Sequence, residues 1–559
     1  MQSPQWRAHY IGGTRGGKRV CFTGDGRLPT GLESHTGNHF MSLARDITTV
    51  GSGTLMSRLL AYLRDAWIAA LLGAGPQSEP FFAVLQVVNF FRRLLSEGAL
   101  NSAFVPIWLK LRTGDDGAAN ANRFTWRVLL AIFCIAGFIA LLVIFIAPGV
   151  IAIIAPGFDR ERRSLAAFLL FMVAPYFVLV GLVAVIAAAL NAESRVAAVA
   201  LSTILFNLAI IVALAMLPRG AVEQFYATAW LAFAISVAGF AQLALTMTVW
   251  LWSGRRWQRP HAHAADQTET FFRRALPGLV AAGIPQLKLI AITAIASASP
   301  AAVSWLYYAN RLYELPLGVV SVAIAAVIVP RIATGAAAGD ERVLVTAQSR
   351  AYEVALGLAL PAALAFALLA NPIAGGLFER GAFGAHDTVA VAAALAAISA
   401  GLPGHVLEKV FGAVSFAHED TKTPMFAALC GLVAAIIGGV LLFPHYGHTG
   451  AATAFAASGW VGATVLGTIL HRRGWLWLDP EARRRLPRIA AATVAMGLAI
   501  GFGALAVPRL FPAAEASSFG RVVMLLALVL LGLVTYGAAL HVLGVATLRE
   551  IASEIRSRA

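Results

Sequence analysis

The sequence predicts an all-α polytopic membrane protein of about fourteen transmembrane helices, with both termini on the cytoplasmic side. Three observations carry that prediction. Of 559 residues, 59% are hydrophobic and only 13% charged, which overturns the several soluble domains that length alone would suggest. Apolar runs recur from about residue 48 to residue 547, each far longer than the roughly 9–11 residues of a barrel strand and without its alternation. The formal charge of +15 follows loop parity: inner loops and the C-terminal tail hold about 23 Lys and Arg, the outer loops about 7. That distribution orients the chain and removes the reading of its basicity as a nucleic-acid signal.

Residues 1–40 are polar, Gly-rich and aperiodic, without the hydrophobic region of a secretory signal; they read as a disordered extension or a mis-called start, with translation beginning at Met41. The runs are then 48–72, 81–109, 128–155, 164–190, 196–217 and 225–252. Arg160, Arg162 and Arg163 form a dissenting outer loop, partly neutralised by Asp159 and Glu161. Arg255, Arg256, Arg259, Arg273 and Arg274 mark the heavy inner loop before 275–298, and its His261 and His263 lack a third metal ligand. The series continues with 302–330, 343–370, 387–416, 424–443 and 449–470. A second basic inner loop, Arg472 to Arg488, precedes 487–508 and 521–546. Cys21, Cys134 and Cys430 share no ligand spacing and form no disulfide framework.

Four of these runs carry cations at mid-depth: Arg58 and Arg64, Arg92 and Arg93, Lys288, and Arg311. Each mid-membrane guanidinium costs roughly 2.5–3.5 kcal/mol on insertion scales, so something must offset the set. Spacing supplies local partners. Arg58 and Asp65 are two turns apart and share a face, with Arg64 pointing elsewhere; Arg93 and Glu97 are an i,i+4 pair; Arg311 has Glu314 at i+3 and Tyr307 and Tyr308 before it for cation–π contact. Arg92 is left without a local partner, and the cations outnumber Asp65, Glu97 and Glu314. Surplus arginine suits a phosphate or pyrophosphate, which its planar fork binds through two oxygens, so the sequence points to a lipid-linked anion in a shared cavity. His405, near Glu408 and Lys409, reads as a packing residue in preference to a proton carrier.

Several chemistries are disfavoured. Gly12 to Arg19 nearly fits a phosphate-binding loop, but Arg19 stands where Ser or Thr should hold magnesium and no strand precedes it. No HExxH or GxSxG occurs, and the outer loops are too short for a glycosyltransferase site. Secondary transport without covalent catalysis, cofactor or metal remains.

At Ser57-Arg58 through Arg64-Asp65, Gly73-Ala-Gly75, Glu79 to Phe82, Asn89, Arg92-Arg93, Glu97-Gly98-Ala99 and Ala103-Phe-Val-Pro106 the sequence resembles the MurJ (MviN) lipid II flippases of the MOP superfamily. The resemblance continues through Ala155-Pro-Gly-Phe158, Trp305 to Leu312, Leu377-Phe-Glu-Arg-Gly-Ala-Phe383 and Asp420-Thr-Lys-Thr-Pro424. It implies a lobe of six helices over 41–254, a cytoplasmic linker 255–274, and a second lobe over 275–471. A loop 472–486, two further spans over 487–547 forming a groove for the polyprenyl tail, and a cytoplasmic tail 548–559 follow. The implied activity is movement of lipid II, the undecaprenyl-pyrophosphate-linked peptidoglycan precursor, to the outer leaflet of the bacterial inner membrane by alternating access. Membrane lipids and the cell-wall synthesis machinery are the implied partners.

The family's essential arginines fall on Arg58, Arg64, Arg92 and Arg311, and its short acidic motif on Glu79; Asp65, Arg93, Glu97 and Glu314 are assigned to gating or ion pairs. Asn310 replaces a common Asp, and span seven has Lys288 where relatives often carry Asn or Asp near Ile292, so Lys288 is expected to act as a resident cation in place of sodium. Coupling by membrane potential or by an ion stays open. So do another MOP-type exporter of lipid-linked oligosaccharide or drugs, a polyprenyl-phosphate enzyme, and a scaffold for envelope synthesis.

Overall fold

The computed structural model of the chain describes residue 53 and residues 56–96, 99–113, 116–218, 223–252, 265–324, 341–510 and 517–545. Glu97, the His261 and His263 pair, the 1–40 extension, the first half of the 255–274 linker and the 548–559 tail lie outside the described residues, while residues 265–274 of that linker are already helical, in the start of the helix Ala265–Ala296.

The first half of the chain gives α1 (56–72), α2 (Glu79–Ser96), α3 (Ala99–Arg112), α4 (Gly117–Phe145), α5 (Ala147–Ile154), α6 (Arg160–Ala192), α7 (Val196–Met216) and α8 (Gln224–Trp252). The second gives α9 (Ala265–Ala296), α10 (Ala302–Ala323), α11 (Glu341–Leu368), α12 (Ala370–Phe378), α13 (Ala385–Ser399), α14 (Leu402–Ala417) and α15 (Lys422–Arg472). Two more, α16 (Pro480–Leu510) and α17 (Ser518–Val542), follow. Among the described residues 9 helices are long and apolar enough to cross a membrane, or 10 if α13 and α14, bent by 40° at their junction, form one span.

Helix ends are set by local chemistry. Asp159 caps α6 by accepting from the Arg162 backbone N–H at 2.8 Å. Two runs that periodicity reads as continuous are broken where a proline enters a first turn. Pro148 starts α5 after Ile146, and Pro403 starts α14 after Gly401, each lacking the N–H that the preceding helix would need. In α15 the break is at Gly447, whose φ of 56° and ψ of −138° only glycine adopts readily; the arms on either side are the predicted spans 424–443 and 449–470.

Within the first half, α6 is the hub, 72% buried over its most apolar window, and packs against α2, α3, α4 and α8. In the second half α14 packs against α15 and α11, and α10 against α13. Helix α9 joins the two. It packs along α15 but also against α3, where Phe271 meets Phe104 and Phe124 at centroid separations of 6.1 and 6.3 Å. Helix α16 packs on α11, and α17 on α16 and α12; only 11% of the most apolar window of α17 is buried. Its remaining face is available to lipid.

Before α15, Asp420 accepts from the backbone N–H groups of Lys422 and Thr423, at 3.0 and 3.1 Å, and pairs with Arg473 beyond the far end of that helix. Partial burial pushes its pKa up, but the Thr423 hydroxyl, these N–H donors and Arg473 outweigh burial and hold the carboxyl at about 2, below its ordinary 3.8. A depressed pKa contributes stability above pH 3.8 that is lost as pH falls toward 2. Asp420→Asn is therefore expected to lower the detergent-solubilised protein's unfolding free energy by about 1 kcal/mol at pH 7, with the difference from the parent shrinking below pH 3.8 and vanishing only as pH falls through about 2 in thermal unfolding.

Candidate functional site

The arginines predicted from the sequence converge on one cavity of about 580 Å³ between the two halves, within the size range of ligand pockets. On α1, residues 58, 62 and 65 form one stripe and 57, 61 and 64 the next. Arg58, Tyr62 and Arg64 line the cavity from there, Arg92 and Arg93 from α2, Asn207 from α7, Arg311 and Glu314 from α10, and Lys409 from α14.

Two carboxylates bind these cations across the halves. Asp65, with no exposed surface, accepts from Arg64 at 2.6 and 2.9 Å through Oδ1 and from the Arg311 Nε–H through Oδ2. Glu314 accepts from Arg93 at 2.5 Å and from Arg311 at 3.3 Å, and Asn310 donates to it at 3.1 Å. Arg64 also donates to Asn207 Oδ1 at 2.9 Å, and Asn207 in turn donates to the Ser57 carbonyl at 3.2 Å. Arg92 donates to Asn89 at 3.2 Å. Arg58 lies over Gly318, where a Cβ would fall 2.2 Å from its Nη1, and donates to the Leu315 carbonyl at 3.4 Å. Six cationic side chains thus line a cavity served by Asp65 and Glu314, so an entering anion finds positive charge in low dielectric.

Several local pairings differ from those the sequence suggests. Asp65 binds Arg64 and Arg311, not Arg58, and Arg64, though on the stripe beside that of Arg58, lines the same cavity with its long side chain on Asp65 and Asn207. Arg93 reaches Glu314, its predicted partner Glu97 lying outside the described residues, and Arg92 has Asn89. The rings of Tyr307 and Tyr308 pack on Phe82, and that of Tyr308 also on Phe378 and Phe383, while Arg311 is held by carboxylates. Asn207 and Lys409 were not singled out from the sequence. An asparagine inside the apolar run 196–217 was the available signal for the first.

Glu79 sits away from the cavity, at the predicted outer end, in a clasp between the halves. Its buried carboxylate accepts from Arg162 at 2.8 Å and from the Val303 backbone N–H at the start of α10 at 3.1 Å. Ser78 and Ser304 hydroxyls meet at 3.1 Å, Tyr308 donates to the Gly73 carbonyl at 3.2 Å, and the Ala382 N–H donates to the Ala70 carbonyl at 2.8 Å. Gly73 and Gly381 allow that last approach: both have positive φ, and a Cβ on either would fall 2.6 or 2.3 Å from a carbonyl oxygen of the opposite strand.

Lys288 is also outside the cavity. Its ammonium lies 3.5 Å from Glu408, against Gly431 of α15, while Glu408 lies against Gly462. One turn before Glu408, His405 bonds through Nδ1 with Tyr313 at 2.8 Å and stacks on Phe455, as a packing residue does.

Similarity to known proteins agrees with this geometry. The family described as Lipid II flippase MurJ matches residues 68–515. A probable lipid II flippase MurJ of Rhizobium meliloti (strain 1021) is 35% identical over 92% of this chain and 97% of its own length. The lipid II flippase MurJ of Burkholderia cenocepacia is 28% identical over 82% of this chain and 90% of its own. Among solved structures, a lipid II flippase MurJ in an inward closed conformation superposes with TM-score 0.72 at 21% identity, covering 88% of this chain and 98% of that one. An inward-facing MATE multidrug transporter of the MOP superfamily superposes with TM-score 0.60 at 15% identity, covering 75% and 94%. With the family match spanning most of the chain and these helices arranged as in its solved member, the chain belongs to the MurJ family of lipid II flippases.

Proposed function

We propose that this chain, a multi-pass protein of the bacterial inner membrane, flips lipid II from the cytoplasmic to the outer leaflet, binding its pyrophosphate between Arg58, Arg64, Arg92 and Arg311. The observation that carries this reading is the convergence of arginines from α1, α2 and α10 on one cavity whose own carboxylates, Asp65 and Glu314, bridge the halves. A pyrophosphate offers the same oxygen pairs as those carboxylates and can take their places on Arg311 and Arg93. Exchange of tethered for mobile anion loosens the cross-links between the lobes, which allows the outer clasp at Glu79 to part. Depleting the chain from cells with no second flippase is expected to lower the lipid II reachable from outside; unchanged exposure would sink the reading.

The second lobe supplies its own cation. Lys288 on Glu408 fills the role that a bound metal ion would play, so sodium is not needed for the lobes to move. The membrane potential then suffices as driving force, because an anion leaving an inside-negative cell gains about 2.3 kcal/mol per charge per 100 mV. Lys288→Met is expected to destabilise the protein by roughly 3–5 kcal/mol, since Glu408 is left charged and unpaired, and Lys288→Met with Glu408→Gln to recover most of that loss. Thermal unfolding measures both, and a sodium-dependent conformational change in the purified parent would count against the resident cation.

A further inference from the structure

The segment Leu377 to Phe383, at the junction of α12 and α13, takes no part in the cavity. It holds the loop that closes the outer clasp: the Ala382 N–H bonds the Ala70 carbonyl, Gly381 provides the left-handed turn, and Phe383 packs edge-on against Tyr308, which itself bonds Gly73. At the head of the same loop, Glu379 is the C-cap residue of α12, its backbone N–H on the Gly375 carbonyl, and its side chain bonds within the second half of the chain and α17. Its Oε1 accepts from Arg521 in the first turn of α17 at 2.9 Å, and its Oε2 accepts from the Thr388 hydroxyl of α13 at 2.8 Å. Along α12, Gly376 lies against Leu525 of α17, so the last helix follows this segment closely.

We propose that Arg521 and Glu379 form a pin through which the last helix sets the outer clasp, Glu379 acting as a positioning residue for the loop that grips Ala70. Helix α17 is the least buried of the apolar helices among the described residues, and it touches the second half mainly through α12 and α11. Its displacement by whatever lies along its exposed face is opposed by the packing on α16 and α12, by a hydrogen bond from Tyr536 to the Gly357 carbonyl of α11 at 2.7 Å, and, at its first turn, by this ion pair. A shift of α17 pulls Glu379, and Glu379 is two residues from the glycine that permits the close backbone approach at Ala70. The pin gives the two helices added after the second lobe a direct purchase on the gate, without any contact to the arginine cavity.

The test reads the clasp and not transport, so its outcome is independent of the substrate assigned above. In full-length protein in vesicles, with Cys21, Cys134 and Cys430 replaced by serine, Ser304→Cys reports clasp opening through its labelling rate with a membrane-impermeant maleimide. Glu379→Gln and Arg521→Gln are each expected to raise that rate several-fold, and the charge exchange E379R with R521E to bring it back toward the parent. A general loss of structure would raise labelling in the exchanged pair as much as in the single variants. The proposal is overturned if either single variant labels like the parent, or if the exchanged pair labels no more slowly than E379R or R521E alone.

Discussion

Arg311→Ala is expected to leave outward-exposed lipid II at the level of depleted cells, a loss on the order of 100-fold in transport relative to the parent. Arg311 has three jobs that no neighbour can take over. It presents a fork to the cavity, it holds the buried Asp65 from the opposite half, and it braces Glu314 for Arg93. Removing it leaves Asp65 with Arg64 alone, and truncating one partner of a buried ion pair costs roughly 3–5 kcal/mol. Part of the loss is therefore structural, and Arg311→Ala with Asp65→Asn separates the parts: membrane yield recovers, transport does not. Arg311→Lys should also fail, since an ammonium cannot hold Asp65 and a phosphate oxygen pair in the same plane. Lipid II exposure during rescue of depleted cells measures all three, and transport by Arg311→Lys near the parent's rate would remove the bidentate role.

How far the sequence could lead is visible in the same residues. Long apolar runs fix helices because a bilayer leaves backbone groups no other partner, and the runs fall almost wholly on helix where described. The cost of charge in lipid likewise exposed Arg58, Arg64, Arg92, Arg93, Lys288 and Arg311 as a set, and the cavity gathers all of them except Lys288. The choice of partner was not legible. Spacing sees only residues on the same helix, so it paired Arg58 with Asp65, whereas Asp65 is claimed by Arg311 across 246 residues of chain and Glu314 by Arg93 across 221. Breaks at Pro148 and Pro403 were hidden for a different reason: hydropathy averages over a proline that geometry cannot ignore. Glu79 was recognised by its motif, but its place on the N-terminus of α10, far from the arginines in the cavity, depends on how the halves meet.

Gly381→Ala should fail by the opposite route, with the binding site intact and the gate unable to close. At φ +58° the new methyl is strained by roughly 1–2 kcal/mol, and it would lie 2.3 Å from the Ala70 carbonyl oxygen, a contact no real Cβ tolerates. The loop must then withdraw, and the Ala382 to Ala70 hydrogen bond goes with it, a further loss of about 0.5–1.5 kcal/mol. Together these shift the equilibrium away from the clasped state by on the order of 10- to 300-fold. Gly73→Ala meets the Ala382 carbonyl at 2.6 Å from the other side and should behave alike. A disulfide between Ser78→Cys and Ser304→Cys, whose native hydroxyls are 3.1 Å apart, reads the clasp directly. Its yield should be high in an otherwise parental background and low with Gly381→Ala. Binding of undecaprenyl pyrophosphate to the purified variant should persist, because no arginine has moved; Arg311→Ala should lose that binding, and because it also removes the Asp65 cross-link between the halves its crosslink yield should fall as well. Parental crosslinking in Gly381→Ala would mean that the loop yields without opening the clasp. The two variants therefore divide transport into its halves, recognition of the anion at mid-depth and closure of the outer end: closure is lost in both, but binding is lost only where the arginine cavity is cut.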